Sequence, residues 1–323
     1  MMMARKREFP KGVGFVFCLV VSSFLGLMHP EFLLGREWVD GQFISNLATI
    51  CIFFFIGRTV NLTGLFYALK QPITVLLIQS CIFLVPWVCA FGLMQFGFLQ
   101  QVQVGWFFLL VLPTTVSSCV VYSKLAGGNG EFALTHSFLS NLLAPLLLPV
   151  LFASFISSSV KFAWSIYPQI FILILLPLLL GIGSRHFSFV WTKKPRKGEA
   201  MVPPLCILVL SYLAFARGSS GGMFQLGWDD LIISLLVCWT GMSALAWLAG
   251  RVISKDKGIR VSAYFIISQK SLATGIPLAF AIIANVNDSL LASILVPITA
   301  YHLFQLFMGS LLVAWMNSGK VKE

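Results

Sequence analysis

Long uncharged apolar stretches alternate along this chain with short clusters of basic residues. No charged residue occurs between Lys70 and Lys124, a length sufficient for two bilayer crossings at about 20 residues each. Read throughout, the pattern predicts ten membrane-spanning helices, at 13–28, 42–57, 72–93, 104–122, 132–156, 165–182, 201–215, 231–250, 261–284 and 290–315. The basic start (Arg5, Lys6, Arg7, Lys11) and the apolar run after it look like a signal peptide. That run ends in Met28-His29-Pro30 with no small-residue cleavage site, so an uncleaved first helix is expected.

Composition agrees with the pattern. The chain is 58% hydrophobic and 10% charged over 323 residues, more apolar surface than a soluble domain of this size can hide. Its 22 basic residues are unevenly placed. Only Arg36, Lys161 and Arg217 fall on one side of the ten-span arrangement, and Lys270 lies inside a span; all the others fall on the side of the two termini. The positive-inside rule therefore puts both termini in the cytoplasm of a cell-membrane protein. Orientation and anionic lipid headgroups account for the net charge of +11, and no nucleic-acid partner is needed. The seven cysteines all fall inside predicted spans without metal-ligand spacing. No HExxH, phosphate-binding loop or serine–histidine–acid arrangement points to an enzyme.

There is no soluble domain, so residues 1–323 read as one membrane domain. Five crossings, repeated, must enter the second time from the opposite side, which gives two inverted halves, 1–156 and 163–317. Helix breakers recur at matching places in them. "LPTTVSSC" at 112–119 interrupts the fourth span and "KSLATGIP" at 270–277 the ninth. Proline removes a backbone donor, and neighbouring hydroxyls can satisfy the groups it frees, so both spans can open into half-helices aimed at a common site. Pro113 and Pro277 are expected to mark those openings; the alternative is that each merely kinks a packed helix.

At these spans the sequence resembles the bile acid:sodium symporter family, solute carrier family ten, and most nearly its member-seven-like branch with the bacterial homologues. The likeness is carried by "LPTTVSS" (112–118), "LAGGN" (125–129), "SQKSLATGIPLA" (268–279) and "VPITAYHLFQLFMGSLL" (296–312). The resemblance implies an all-α membrane fold of ten helices in two inverted five-helix repeats, with broken helices four and nine crossing, and a panel domain moving against a core domain. It also implies a cation site at that crossing. The helix-four ligands fall on Ser117, Ser118 and Cys119, those of helix five on Ala133 and Ser137, the family's glutamate near Ile266 and its glutamine near Lys270. A candidate sodium position is thus expected near Ser117, Ser118 and Ser137, with one hydroxyl and the carboxylate replaced. Thr114, Thr115, Asn129, Asn141, Gln269, Ser271, Thr274, His302 and Gln305 complete the set expected to line a cation or substrate site.

Lys270 is the residue that alters the chemistry. No acidic residue lies within any predicted span, and two unit charges about 4 Å apart repel by roughly 4 kcal/mol at an effective dielectric of 20. A protonated Lys270 and a sodium ion in one pocket therefore exclude each other. Two readings stand. The ammonium takes the place of a bound cation, resting on carbonyls of the broken helices and on Ser117, Ser118 and Ser137, and exchanges a proton during a transport cycle or attracts an anion. Alternatively, the stem snorkels to the interface, although Lys270 follows Val261 by nine residues, about 13 Å of helix rise.

The expected function is secondary active transport of a small organic anion, a bile acid, sterol or carboxylate, by alternating access coupled to Na⁺ or H⁺, with no other cofactor. A non-transporting regulator or scaffold that keeps the fold is the alternative.

Overall fold

The structure, a computed structural model, describes residues 11–34, 40–60, 62–95, 103–154, 166–187, 198–220, 228–283 and 288–318. Those residues are helical, joined by short turns. In chain order the helices are α1 (Lys11–Met28), α2 (Glu31–Leu34), α3 (Gly41–Thr59), α4 (Leu62–Leu69), α5 (Pro72–Gln79), α6 (Val85–Gln95), α7 (Gln103–Leu110), α8 (Val116–Leu125), α9 (Gly130–Ala153), α10 (Ile166–Ile170), α11 (Leu176–Phe187), α12 (Val202–Ser220), α13 (Trp228–Ile253), α14 (Lys257–Ser268), α15 (Leu272–Ile283) and α16 (Asp288–Ser318). One widened π-turn, Ser80–Leu84, joins α5 to α6, and another, Phe171–Leu175, joins α10 to α11.

Polar residues set the boundaries, as elementary capping predicts. Asp40, Asn129 and Asp256 accept hydrogen bonds from the first-turn amides of α3, α9 and α14. Gly127, with φ of 83°, ends α8 in the left-handed conformation, and the Gly128 amide reaches back to the Ser123 carbonyl at 2.6 Å.

Seven helical stretches among the described residues are long and apolar enough to cross a bilayer: Gly41–Thr59, Pro72–Gly92, Gly130–Ala153, Tyr167–Arg185, Asp229–Ile253, Lys257–Ile283 and Ser293–Ser318. Large apolar side chains such as Ile73, Phe66, Val252 and Trp315 point outward, as lipid contact requires. This is an integral, multi-pass membrane protein. Of the ten expected spans, the first and seventh are represented by shorter apolar helices, Phe17–Met28 and Val202–Gly218. The fourth is divided between α7 and α8, because residues 111–115 leave helical conformation.

In one group of helices α1 packs on α12, α12 on α3, and α3 on α11. Glycines permit the closest approaches. A Cβ on Gly57 would overlap the Leu178 carbonyl, one on Gly181 would overlap the Phe54 carbonyl, and each would lie 3.1 Å from the other glycine's Cα. A second group brings α8 and α14 against α9, α7 and α15 against α16, and α13 against α14. The groups meet where α12 touches α15 and α16 and where α3 touches α15. Arg217, in the last turn of α12, spans this junction: its guanidinium lies 3.4 Å from the Gln42 amide oxygen and 5.6 Å from the Phe280 ring centre.

Candidate functional site

The two interrupted helices face each other at their breaks. α7 ends with a tightened turn, the Leu112 amide bonding to the Leu109 carbonyl at 3.1 Å, and the chain runs extended through Thr115 before α8 begins. The other break covers residues 269–271, with Gln269 in extended conformation. Here the expectation from proline needs correcting. Pro113 lies in its break, but Pro277 sits inside α15, six residues beyond the other opening. Hydrogen bonding explains the difference: Ser271 caps α15 through its hydroxyl, accepting from the Thr274 amide at 3.2 Å, so the helix restarts upstream of the proline.

Breaking a helix inside a membrane exposes amides and carbonyls, and several of them find partners here. The Ser271 amide donates to the Pro113 carbonyl at 2.8 Å, a direct link between the two breaks. The Gln305 carboxamide pairs with both backbone groups of Lys270, accepting from its N–H at 2.7 Å and donating to its carbonyl at 2.8 Å. Tyr301 donates its hydroxyl to the Ser268 carbonyl at 2.9 Å. Asn141, on α9, donates to the Thr114 and Ser137 carbonyls, both at 2.8 Å, and accepts from the Thr274 hydroxyl. The Thr114 amide donates to the Ser140 hydroxyl at 3.3 Å. Buried polar groups without partners are costly, so this lattice fixes the crossing. Replacing Gln305 by Leu strands a buried amide and carbonyl at about 1–3 kcal/mol each. A clear fall in the melting temperature of the detergent-purified variant is the expected result, and an unchanged value would count against the pairing.

Lys270 is 1% exposed, its stem turned inward. Its Nζ donates to the carbonyls of Ile82 (2.8 Å), Leu110 (2.7 Å) and Leu112 (3.0 Å). Each acceptor is one that helix geometry leaves open. Leu110 and Leu112 lie at the interrupted end of α7, where carbonyls accumulate partial negative charge. The α-helical donor for Ile82 would be residue 86, a proline without an N–H. Three neutral dipoles thus surround one ammonium, the kind of oxygen cage that also suits an alkali ion. Snorkelling to the interface, the second reading of this lysine, does not match its geometry here.

The hydroxyls expected to share that cage lie elsewhere. Ser117 is exposed on α8. The Thr115 and Ser118 hydroxyls and the Gln269 carboxamide oxygen lie within hydrogen-bond reach of one another, the two hydroxyl protons serving two of the three contacts. Ser137 contacts the Cys119 sulfur at 2.8 Å and donates to the Ala133 carbonyl at 2.6 Å. Asn129 is exposed and caps α9, away from the breaks. His302 sits one helical turn before Gln305 and accepts from its amide at 2.9 Å. The crossing thus unites Thr114, Thr115, Ser118, Asn141, Gln269, Lys270, Ser271, Thr274, His302 and Gln305. Beside it lies a pocket just wide enough for a water-sized group, lined by Trp239, Tyr264, Ser268, Gln269, Gln305 and Gly309 among others. The sequence reading expected carbonyls of the broken helices around Lys270, and Leu110 and Leu112 supply two; it missed the Ile82 carbonyl of a separate span, because backbone acceptors carry no residue signature. A proline four residues after a mid-span carbonyl was the signal available for Ile82.

Residues 14–318 match the family described as the SBF-like CPA transporter family. The chain is 29% identical over 218 residues to sodium/bile acid cotransporter 7 of Xenopus tropicalis, a match covering 64% of this chain and 63% of that protein. With the protein of the same name from Danio rerio the identity is 27% over 318 residues, 92% of this chain and 89% of the relative. An uncharacterized protein of Pseudomonas aeruginosa is 24% identical over 320 residues, 96% and 94% of the two chains.

Proposed function

The chain belongs to the SBF-like CPA transporter family, and we propose that it is a symporter-like membrane transporter that carries a small organic anion by alternating access, with the Lys270 ammonium standing where the family resemblance implies an alkali ion. The observation that carries this reading is the cage of three carbonyls around Nζ. A tethered cation supplies the positive charge of a bound ion without dissociating. It leaves the coupling either to a proton exchanged at the amine or to a sodium ion bound apart from it.

The same proposal takes ten crossings, the seven long helices together with α1, α12 and the α7–α8 pair. It takes two inverted halves, 1–156 and 163–317, with both termini in the cytoplasm of the cell membrane. Helix pairing supports the inversion. If the sixth span repeats the first and the seventh the second, the contact of α1 with α12 and that of α3 with α11 are the same contact twice. The two breaks then occupy the fourth position of each half.

In the cycle, the α1–α3–α11–α12 group moves as a panel against the crossing. The substrate anion binds beside the breaks, near Thr115, Ser118, Gln269 and His302, drawn by the N-terminal ends of α8 and α15. Purified protein in liposomes tests this, with uptake of radiolabelled taurocholate and of small carboxylates followed under an imposed sodium or proton gradient. Saturable uptake driven by one gradient is expected. No saturable uptake, with no stabilisation by sodium, pH or anionic metabolites in a thermal-shift screen, would leave the scaffold reading standing.

A further inference from the structure

We propose that Pro86 is a positioning residue for Lys270: by withholding an N–H from the Ile82 carbonyl it reserves that oxygen for the ammonium, and so ties the α5–α6 span to the crossing. The inference rests on the tethered-cation reading above but is tested independently of transport.

In an uninterrupted α-helix the carbonyl of residue 82 accepts from the amide of residue 86. Proline has none, and its ring crowds the carbonyl four residues back. The helix answers with the π-turn Ser80–Leu84, in which the Val85 amide bonds to Ser80 instead of to residue 81. Ile82 is fully buried, as are its neighbours Ile78 and Phe83, so water cannot serve the carbonyl. Lys270 Nζ does so, at 2.8 Å.

The consequence reaches beyond one bond. The other two acceptors, Leu110 and Leu112, belong to the α7 break, whereas Ile82 belongs to a separate span. Without Ile82 the ammonium would link the two broken helices alone. With it, the movement of α5–α6 is coupled to occupation of the cage, so any step that displaces or neutralises the amine frees a whole span.

Four proteins decide the matter: the wild type, Pro86→Ala, Lys270→Met, and the double variant, compared by melting temperature in detergent. In the Lys270 background, Pro86→Ala introduces a competing N–H and is expected to lower the midpoint by several degrees. In the Lys270→Met background the same substitution gives Ile82 the donor it has lost and is expected to raise the midpoint. This reversal of sign is something a purely structural proline would not produce. If Pro86→Ala alone yields no folded protein, recovery of folded double variant supports the coupling, and failure of both overturns it. Pro86→Ser, which supplies the same N–H, must follow Pro86→Ala. Equal shifts in both backgrounds overturn the proposal, even if uptake measurements uphold the transport reading. Conversely, a sign reversal without any uptake upholds the contact and sinks the transport reading alone.

Discussion

Substituting Lys270 by alanine is expected to abolish gradient-driven uptake while leaving a folded protein that added cations stabilise. Removing the side chain leaves three desolvated carbonyls and a void of about the right shape for a small cation. Three charge-assisted hydrogen bonds contribute roughly 1.5–3 kcal/mol each, while burying the ammonium costs several kcal/mol, so the native site is close to balanced. The variant loses the bonds and keeps the desolvated carbonyls, at about 1–3 kcal/mol for each group left unpaired. Its midpoint should therefore fall. Sodium, ammonium or methylammonium should restore part of the loss by binding only the folded state, and should raise the variant's midpoint by more than that of the wild type. Lys270→Met fills the void and should fall without being rescued. Unchanged uptake and no cation-dependent stabilisation of Lys270→Ala would defeat the tethered-cation reading.

The other large effect is steric. Gly181→Leu is expected to prevent α3 and α11 from meeting, with a loss of about 3 kcal/mol or more and poor recovery of monodisperse protein. The reason lies in the helix crossing: even the first carbon of a side chain on Gly181 overlaps the Phe54 carbonyl, and a backbone cannot rotate away as a side chain can. Gly57→Leu should behave alike, since its Cβ would overlap the Leu178 carbonyl. Gly14, Gly92 and Gly241 meet nothing within 4 Å, so leucine there serves as the control and should change the midpoint little. A Gly181→Leu protein that melts with the wild type would show that the two helices do not pack this way in the membrane.

Much of the crossing could be read from residue identity. The hydroxyls and the proline of 112–119 and the lysine and glycine of 268–277 announce broken helices, and the positions of both breaks follow to within a few residues. Pro277 misled, because a proline can be carried inside a helix whose start is fixed by a better cap, here Ser271. Ser117 and Asn129 misled in another way. Closeness in sequence to a break does not say which face of α8 a side chain occupies, or that an asparagine will be taken up by the start of α9.

By itself, the sequence determined that the chain crosses a bilayer repeatedly, that its spans are interrupted near 112–119 and 268–277, and that one cation is left among apolar residues without a carboxylate. Those properties depend on composition and order along the chain, and burial in lipid makes them unavoidable. Only the tertiary structure decided which oxygens meet that cation. Ile82, Leu110 and Leu112 act through carbonyls that every residue possesses, and the fold alone selects the three left without a donor and brings them within 3.0 Å of one nitrogen.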